Sequence, residues 1–122
     1  MELQKRQVDD IELSITSVNP SPDSIEIIAS TTGPAERYGN GFWSCVLESF
    51  DRNSGFIHGS ACGVPDEGPM MTGNFVGLWR RDGNKIEIKQ LVDIDNGDQN
   101  STHSTLYTRD GRIAIIAEDS SS

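Results

Sequence analysis

The sequence predicts an all-β protein, an eight-stranded antiparallel up-and-down β-barrel. Three observations lead there. Apolar and polar residues alternate with period two along most of the chain, and no segment sustains a 3.6-residue apolar period. Gly, Pro, Asp and Asn clusters separate the alternating runs. The pair Asp82-Gly83 sits between two strand-forming runs, which is a strong short-range hairpin signal.

Taken in order, residues 1–9 are polar and without period, and are expected to be loosely ordered, as is 119–122. Asp10 to Val18 alternates Ile11, Leu13 and Ile15 against Glu12, Ser14 and Thr16, a half-buried first strand. Asn19 to Asp23 contains two prolines and reads as a turn. Ser24 to Ser30 is the second strand, and Thr31 to Asn40 a long connection. Gly41 to Phe50 and Gly55 to Gly63 are strands three and four, joined by Asp51 to Ser54. Val64 to Pro69 is a loop, and Met70 to Arg81 and Asn84 to Val92 are strands five and six around Asp82-Gly83. In that hairpin Trp79, Gly77, Phe75, Ile86, Ile88 and Gln90 share the core-facing side. Asp93 to Asn100 is a polar loop, followed by strands Ser101 to Thr108 and Arg112 to Glu118 around Asp110-Gly111.

The odd-numbered connections are short and the even-numbered ones long. In a meander these fall at opposite ends, so one end is tight and the other is a mouth. Strands one and eight run antiparallel and can close the barrel, which removes exposed edges. Charge follows the same axis. Arg52, Arg80, Arg81, Lys85, Arg109 and Arg112 gather at the tight end, and Glu36, Asp66, Glu67, Asp93, Asp95 and Asp98, with Arg37, at the mouth. An acidic mouth favours neutral or cationic ligands.

The chain of 122 residues is one domain, 1–122, long enough for a core without staples. Its net charge of −9 argues against nucleic acid and anionic membrane surfaces as partners. No stretch approaches the ~20 apolar residues of a membrane helix. The first ten residues lack the apolar run of a secretory signal, so a cytoplasmic location is expected.

Strands three and four decide what enters the lumen. If paired positions sum to 107, Cys45 faces Cys62 and Ser49 faces His58. One face then carries Trp43, Cys45, Leu47 and His58, the other Val46, Glu48, Phe50 and Ile57. Either could point inward, bringing His58 or Glu48 into the lumen as an acid or base. A three-residue loop with a bulge would break this register. Both faces are apolar, so one leaves large apolar groups outside, which suggests a homo-oligomer. Cys45 and Cys62 could bridge, although a reducing compartment favours free thiols. Asp93-x-Asp95-x-Gly97-Asp98 departs from a calcium loop at its fifth, sixth and twelfth positions and reads as a turn. His58 and His103 lack spaced metal-binding partners, so no metal or cofactor is expected. Tyr38, Trp43, Phe75, Trp79, Gln90 and Tyr107 are the candidate ligand-binding residues, with core packing as the plain alternative for the aromatic ones.

The run Gly39-Asn40-Gly41, Asp51-x-x-Ser54-Gly55, Gly59, Gly63 and Gly73-Asn74-Phe75-x-Gly77 resembles small lipocalin-like barrels, among them allene oxide cyclase and polyketide-cyclising proteins. The resemblance implies an oligomeric barrel whose lumen binds a hydrophobic small molecule. It transfers no catalytic residue. The combined expectation is a small-molecule-binding barrel with a hydrophobic lumen, as an isomerase or cyclase using Glu48 or His58 as a proton relay. The alternative is a non-enzymatic, oligomeric interaction module. A cavity above ~300 Å³ with a polar group inside points to the first. A lumen packed solid with Met71, Phe75, Trp79 and Ile86 points to the second.

Overall fold

Period-two alternation becomes a closed antiparallel barrel of eight strands paired in sequence order. These are β1 (Arg6–Pro20), β2 (Ser24–Thr31), β3 (Asn40–Ser49), β4 (Ser54–Val64), β5 (Met71–Asp82), β6 (Lys85–Ile94), β7 (Gln99–Tyr107) and β8 (Arg112–Asp119). The computed structural model describes the backbone of residues 6–33 and 38–119, and the side chains of 10–33 and 38–117. No α-helix occurs among the described residues, and none could therefore cross a membrane.

Closure rests on β1. Its first half pairs with β8 from Arg6↔Asp119 to Ser14↔Arg112, and its second half with β2 from Leu13↔Thr31 to Pro20↔Ile25. Register shifts at Gln7/Asp9 and Ile15/Ser17 let the long strand bend between two neighbours. Residues 6–9, expected to be loosely ordered, are thus part of the wall, because the free edge of β8 supplies their hydrogen-bond partners.

Two turns differ from expectation. The β5–β6 turn is Gly83-Asn84, with Asp82 paired to Lys85, rather than Asp82-Gly83. Gly83 has φ 62°, and a glycine at the first turn position matches the twist of the flanking strands. Moving the turn by one residue moves the pairing by two. Trp79 therefore meets Ile88 and Phe75 meets Val92, while every side chain keeps its face. The β3–β4 loop is a three-residue one, since the Phe50 amide donates to the Ser54 carbonyl at 2.8 Å. Asp51 Oδ1 accepts from the Asn53 and Ser54 amides at 2.9 Å each, which holds its carboxyl below the usual range. Arg52 sits between Asp51 and Asn53 at φ 71°.

The mouth connections are Thr32 to Gly39, Pro65 to Met70, and Asp95 to Asp98, of which the last is far shorter than the expected Asp93 to Asn100. Glu36 and Arg37 lie outside the described residues. At the tight end the interior is filled. Leu47, Ile57, Ile88, Leu106 and Ile113 are buried there beside Trp79. The Trp79 indole Nε1–H donates to the Glu48 carbonyl at 2.9 Å and fixes the floor.

Candidate functional site: the upper lumen

The inner face is set by parity. Odd residues of β3, β4, β5 and β8 and even residues of β6 and β7 point inward. At the mouth end these side chains enclose a cavity of about 120 Å³. Trp43 and Phe75 stack in its wall, with ring centroids 5.4 Å apart and planes 13° from parallel. Ile11, Val92, Ile115 and Ala117 add to the apolar lining. Small residues leave room for the large ones. A Cβ on Gly59 would lie 2.7 Å from the Phe75 ring, and one on Gly77 would lie 2.7 Å from the Gln90 Cα.

Tyr38 roofs this space and is 8% exposed. Its hydroxyl donates to Asp98 Oδ2 at 2.9 Å and accepts from Asn100 Nδ2 at 3.2 Å. Asn96 Nδ2 also donates to Asp98 Oδ2, at 3.1 Å. The chain has one direction. An ionised carboxylate only accepts, so the single phenolic proton goes to Asp98 and Tyr38 takes its other bond from the Asn100 amide nitrogen. That leaves the Asn100 carbonyl oxygen turned away from Tyr38. Backbone packing supports the roof as well, because a Cβ on Gly63 would press on the Tyr38 carbonyl and lie 3.0 Å from its Cβ.

Below the roof runs a polar stripe: Gln90, Asn100, Thr102 and Ser104, exposed by 7% or less. Thr102 Oγ1 donates to the Gln90 carbonyl at 3.5 Å, a marginal contact. Gln90 Oε1, Asn100 Oδ1 and Ser104 Oγ have no hydrogen-bond partner among the described residues. Gln90 and Asn100 line the cavity. A buried carbonyl without a donor costs about 1–3 kcal/mol, so these oxygens, sealed within the wall, are an expensive feature of it.

The structure sorts the expected site residues. Tyr38, Trp43, Phe75 and Gln90 meet at the cavity. Trp79 belongs to the tight-end packing instead. Tyr107 lies on the outer wall, with the Arg112 guanidinium 3.9 Å and the Lys85 ammonium 5.6 Å from its ring centroid. Glu48 and His58 both point outward, contrary to the expectation that one must enter the lumen. In the observed register positions sum to 104, so Val46 faces His58 and Glu48 faces Phe56. The two side chains, 53% and 51% exposed, touch each other outside at 3.2 Å. The same register pairs Cys45 with Gly59 and Phe42 with Cys62, and both thiols are free. Burial pushes the Cys45 thiol up to about 12, despite a backbone hydrogen bond at Ile27 that acts the other way. Asn100 and Thr102 were absent from the expected set. Their signal was Leu106, whose inward parity extends back by twos to Ser104, Thr102 and Asn100.

In the Asp93 to Asp98 segment, Asp95 holds the start of β5, accepting from the Thr72 amide at 3.1 Å and the Thr72 hydroxyl at 3.0 Å. No group of three or more His, Cys, Asp or Glu among the described residues could hold a metal.

The outer wall carries the second notable feature. Phe50 in the β3–β4 loop and Phe56, Val76, Leu78 and Leu91 on β4–β6 are all more than half exposed. Phe50 and Phe56 meet edge-to-face at 4.6 Å. Phe56 faces Leu78 across the ladder and Val76 faces Leu91.

Comparisons with protein-family models, with curated proteins and with solved structures give no significant match. The site is therefore read from its own chemistry.

Proposed function

We propose that this protein is a small-molecule-binding barrel whose ligand sits in the upper lumen beneath Tyr38. The observation that carries the reading is the division of the interior. The tight half is packed with aliphatic side chains and Trp79, while the mouth half keeps a chamber lined by an aromatic pair and roofed by a hydrogen-bonded side chain. At about 120 Å³ the chamber is smaller than the ~300 Å³ of common ligand pockets. It suits a single small ring, since an apolar cavity of about 150 Å³ accepts benzene. Among the described residues Tyr38 is the ionisable side chain that roofs the chamber, and Glu48 and His58 lie outside it, so binding is favoured over the isomerase or cyclase chemistry those two would have served. The outer face over β1 and β7 is polar, which disfavours a wall surrounded by lipid on all sides.

Fluorobenzene followed by ¹⁹F NMR tests this. It should broaden and shift with the wild-type protein and not with Ala117→Leu, which adds three carbons to the chamber wall. Absence of wild-type binding at millimolar fluorobenzene, or equal binding by a folded Ala117→Leu, would overturn the reading.

A second reading is carried by the outer apolar face and concerns assembly. At one level of the sheet Glu48, Phe56, Leu78 and Lys89 follow one another across β3–β6. At the next level come Val46, His58, Val76 and Leu91. A two-fold axis along the strands between β4 and β5 sets Glu48 of one copy against Lys89 of the other, Phe56 against Leu78, and Val46 against Leu91. The face thus suits a second copy of the chain. Sedimentation should give a dimer that Leu78→Glu converts to monomer. A wild-type monomer at ~100 μM would remove this reading.

A further inference from the structure

His58 stands in the middle of the outer apolar face. Its ladder partners are Val46 on β3 and Val76 on β5, with Leu91 beyond Val76. On β5 its neighbours Asn74, Val76 and Leu78 carry no charge. On β3 the Glu48 carboxylate meets its Nε2 at 3.2 Å, and Glu26 on β2 lies one strand further, across Val46. The two-fold axis that sets Glu48 against Lys89 of the second copy sets His58 against Val76 of that copy. Lys89 is flanked in turn by His103, which Glu87 holds at 2.8 Å. In the seated pair Glu48 therefore has two cationic claimants, His58 of its own chain and Lys89 of the other. With the imidazole neutral, one carboxylate meets one ammonium. Protonation adds a second cation and no second carboxylate, on a face that association strips of water. Desolvation disfavours the charged form. The separated chain, with His58 half exposed, binds the proton more readily than the pair does. Association is thus complete above the ordinary imidazole range and is lost as pH falls through it.

We infer that the apolar face over β3–β6 is a pH-gated homodimer interface: His58, held by Glu48 at 3.2 Å, lets a second copy dock while its imidazole is neutral and releases it once protonated. This rests on the assembly reading above and adds its regulation. Each dimer carries the device twice, so the response to pH is steeper than one titrating group gives.

Sedimentation of the full-length protein at about pH 7.5 and about pH 5.5 tests this, the lower value staying above the ordinary carboxylate range so that imidazoles are what titrate. The dimer dissociation constant of the wild type should rise by about 100-fold, roughly tenfold for each of the two imidazoles that take up a proton. His58→Gln keeps a neutral polar side chain there and should dimerise at both values, with a change below about threefold. Its dimer at the lower pH also shows that the fold survives there. His103→Gln should keep the wild-type response. A wild-type dimer that holds equally well at the lower pH refutes the switch while the dimer stands. So does a His58→Gln that weakens as the wild type does or never dimerises. Loss of the response in His103→Gln would place the sensor at that histidine and refute the role of His58. A wild type that is monomeric at the higher pH and ~100 μM refutes the assembly reading and this inference with it.

Discussion

Replacing Gln90 by Met should stabilise the protein. Gln90 is 5% exposed, and its amide oxygen has no partner among the described residues. An unsatisfied buried acceptor carries a penalty of about 1–3 kcal/mol. Methionine has nearly the same length and volume, and its thioether tolerates irregular surroundings. Its ε-methyl adds apolar burial. Against this stands the loss of any bond the amide nitrogen makes, worth about 1 kcal/mol. The net expectation is a gain of about 1 kcal/mol. For a chain of this length that is a rise in Tm of about 3–5 °C. Urea unfolding followed by tryptophan fluorescence would show the midpoint rise by roughly 0.5 M or more, with an unchanged slope. A loss above ~1 kcal/mol would mean that the amide oxygen is well satisfied in the folded protein, and the argument from unpaired acceptors would collapse.

Other outcomes follow from the same geometry. Glu48→Gln and His58→Ala should each leave fluorobenzene binding within about twofold of wild type, because both side chains lie outside the wall; a larger loss would place them in contact with the ligand. Gly59→Ala should cost about 1–3 kcal/mol or more in urea unfolding, since its Cβ would lie 2.1 Å from the Ser44 carbonyl oxygen and 2.7 Å from the Phe75 ring. Native Cys45 should resist thiol reagents at pH 8 while the partly exposed Cys62 reacts, so mass spectrometry should find a single label, on Cys62. The Cys45 thiol titrates near 9.0 when unconstrained and is pushed to about 12 in the fold. The unfolded chain therefore sheds this proton first, and the Cys45 contribution to stability, complete below pH 9, falls as pH rises toward 12. Cys45→Ala should flatten that alkaline decline.

Strand alternation carried the architecture because it survives errors of even size. Misplacing the β5–β6 turn by one residue shifted every pair by two, and Trp79, Phe75 and Gln90 stayed inside. The β3–β4 hairpin did not have that protection. Its loop changed the pairing sum from 107 to 104, an odd step, so His58 joined Glu48 on the outer face. The three-residue turn depends on Arg52 accepting φ 71°, which no residue-type preference announces. β7 was harder to read for a different reason. Gln99, Ser101, His103 and Thr105 face outward and Asn100, Thr102 and Ser104 inward, so polarity alternates with nothing. A strand that is polar on both faces looks like a loop, and its first two residues were assigned to one. The polar stripe that distinguishes this lumen was hidden for that reason.

The most direct measurement is a crystal structure of the protein soaked in phenol. The account predicts a ring bound in the chamber beside Phe75 and Trp43, beneath Tyr38. A chamber that holds ordered water alone, with phenol bound only on the outer wall, would contradict it.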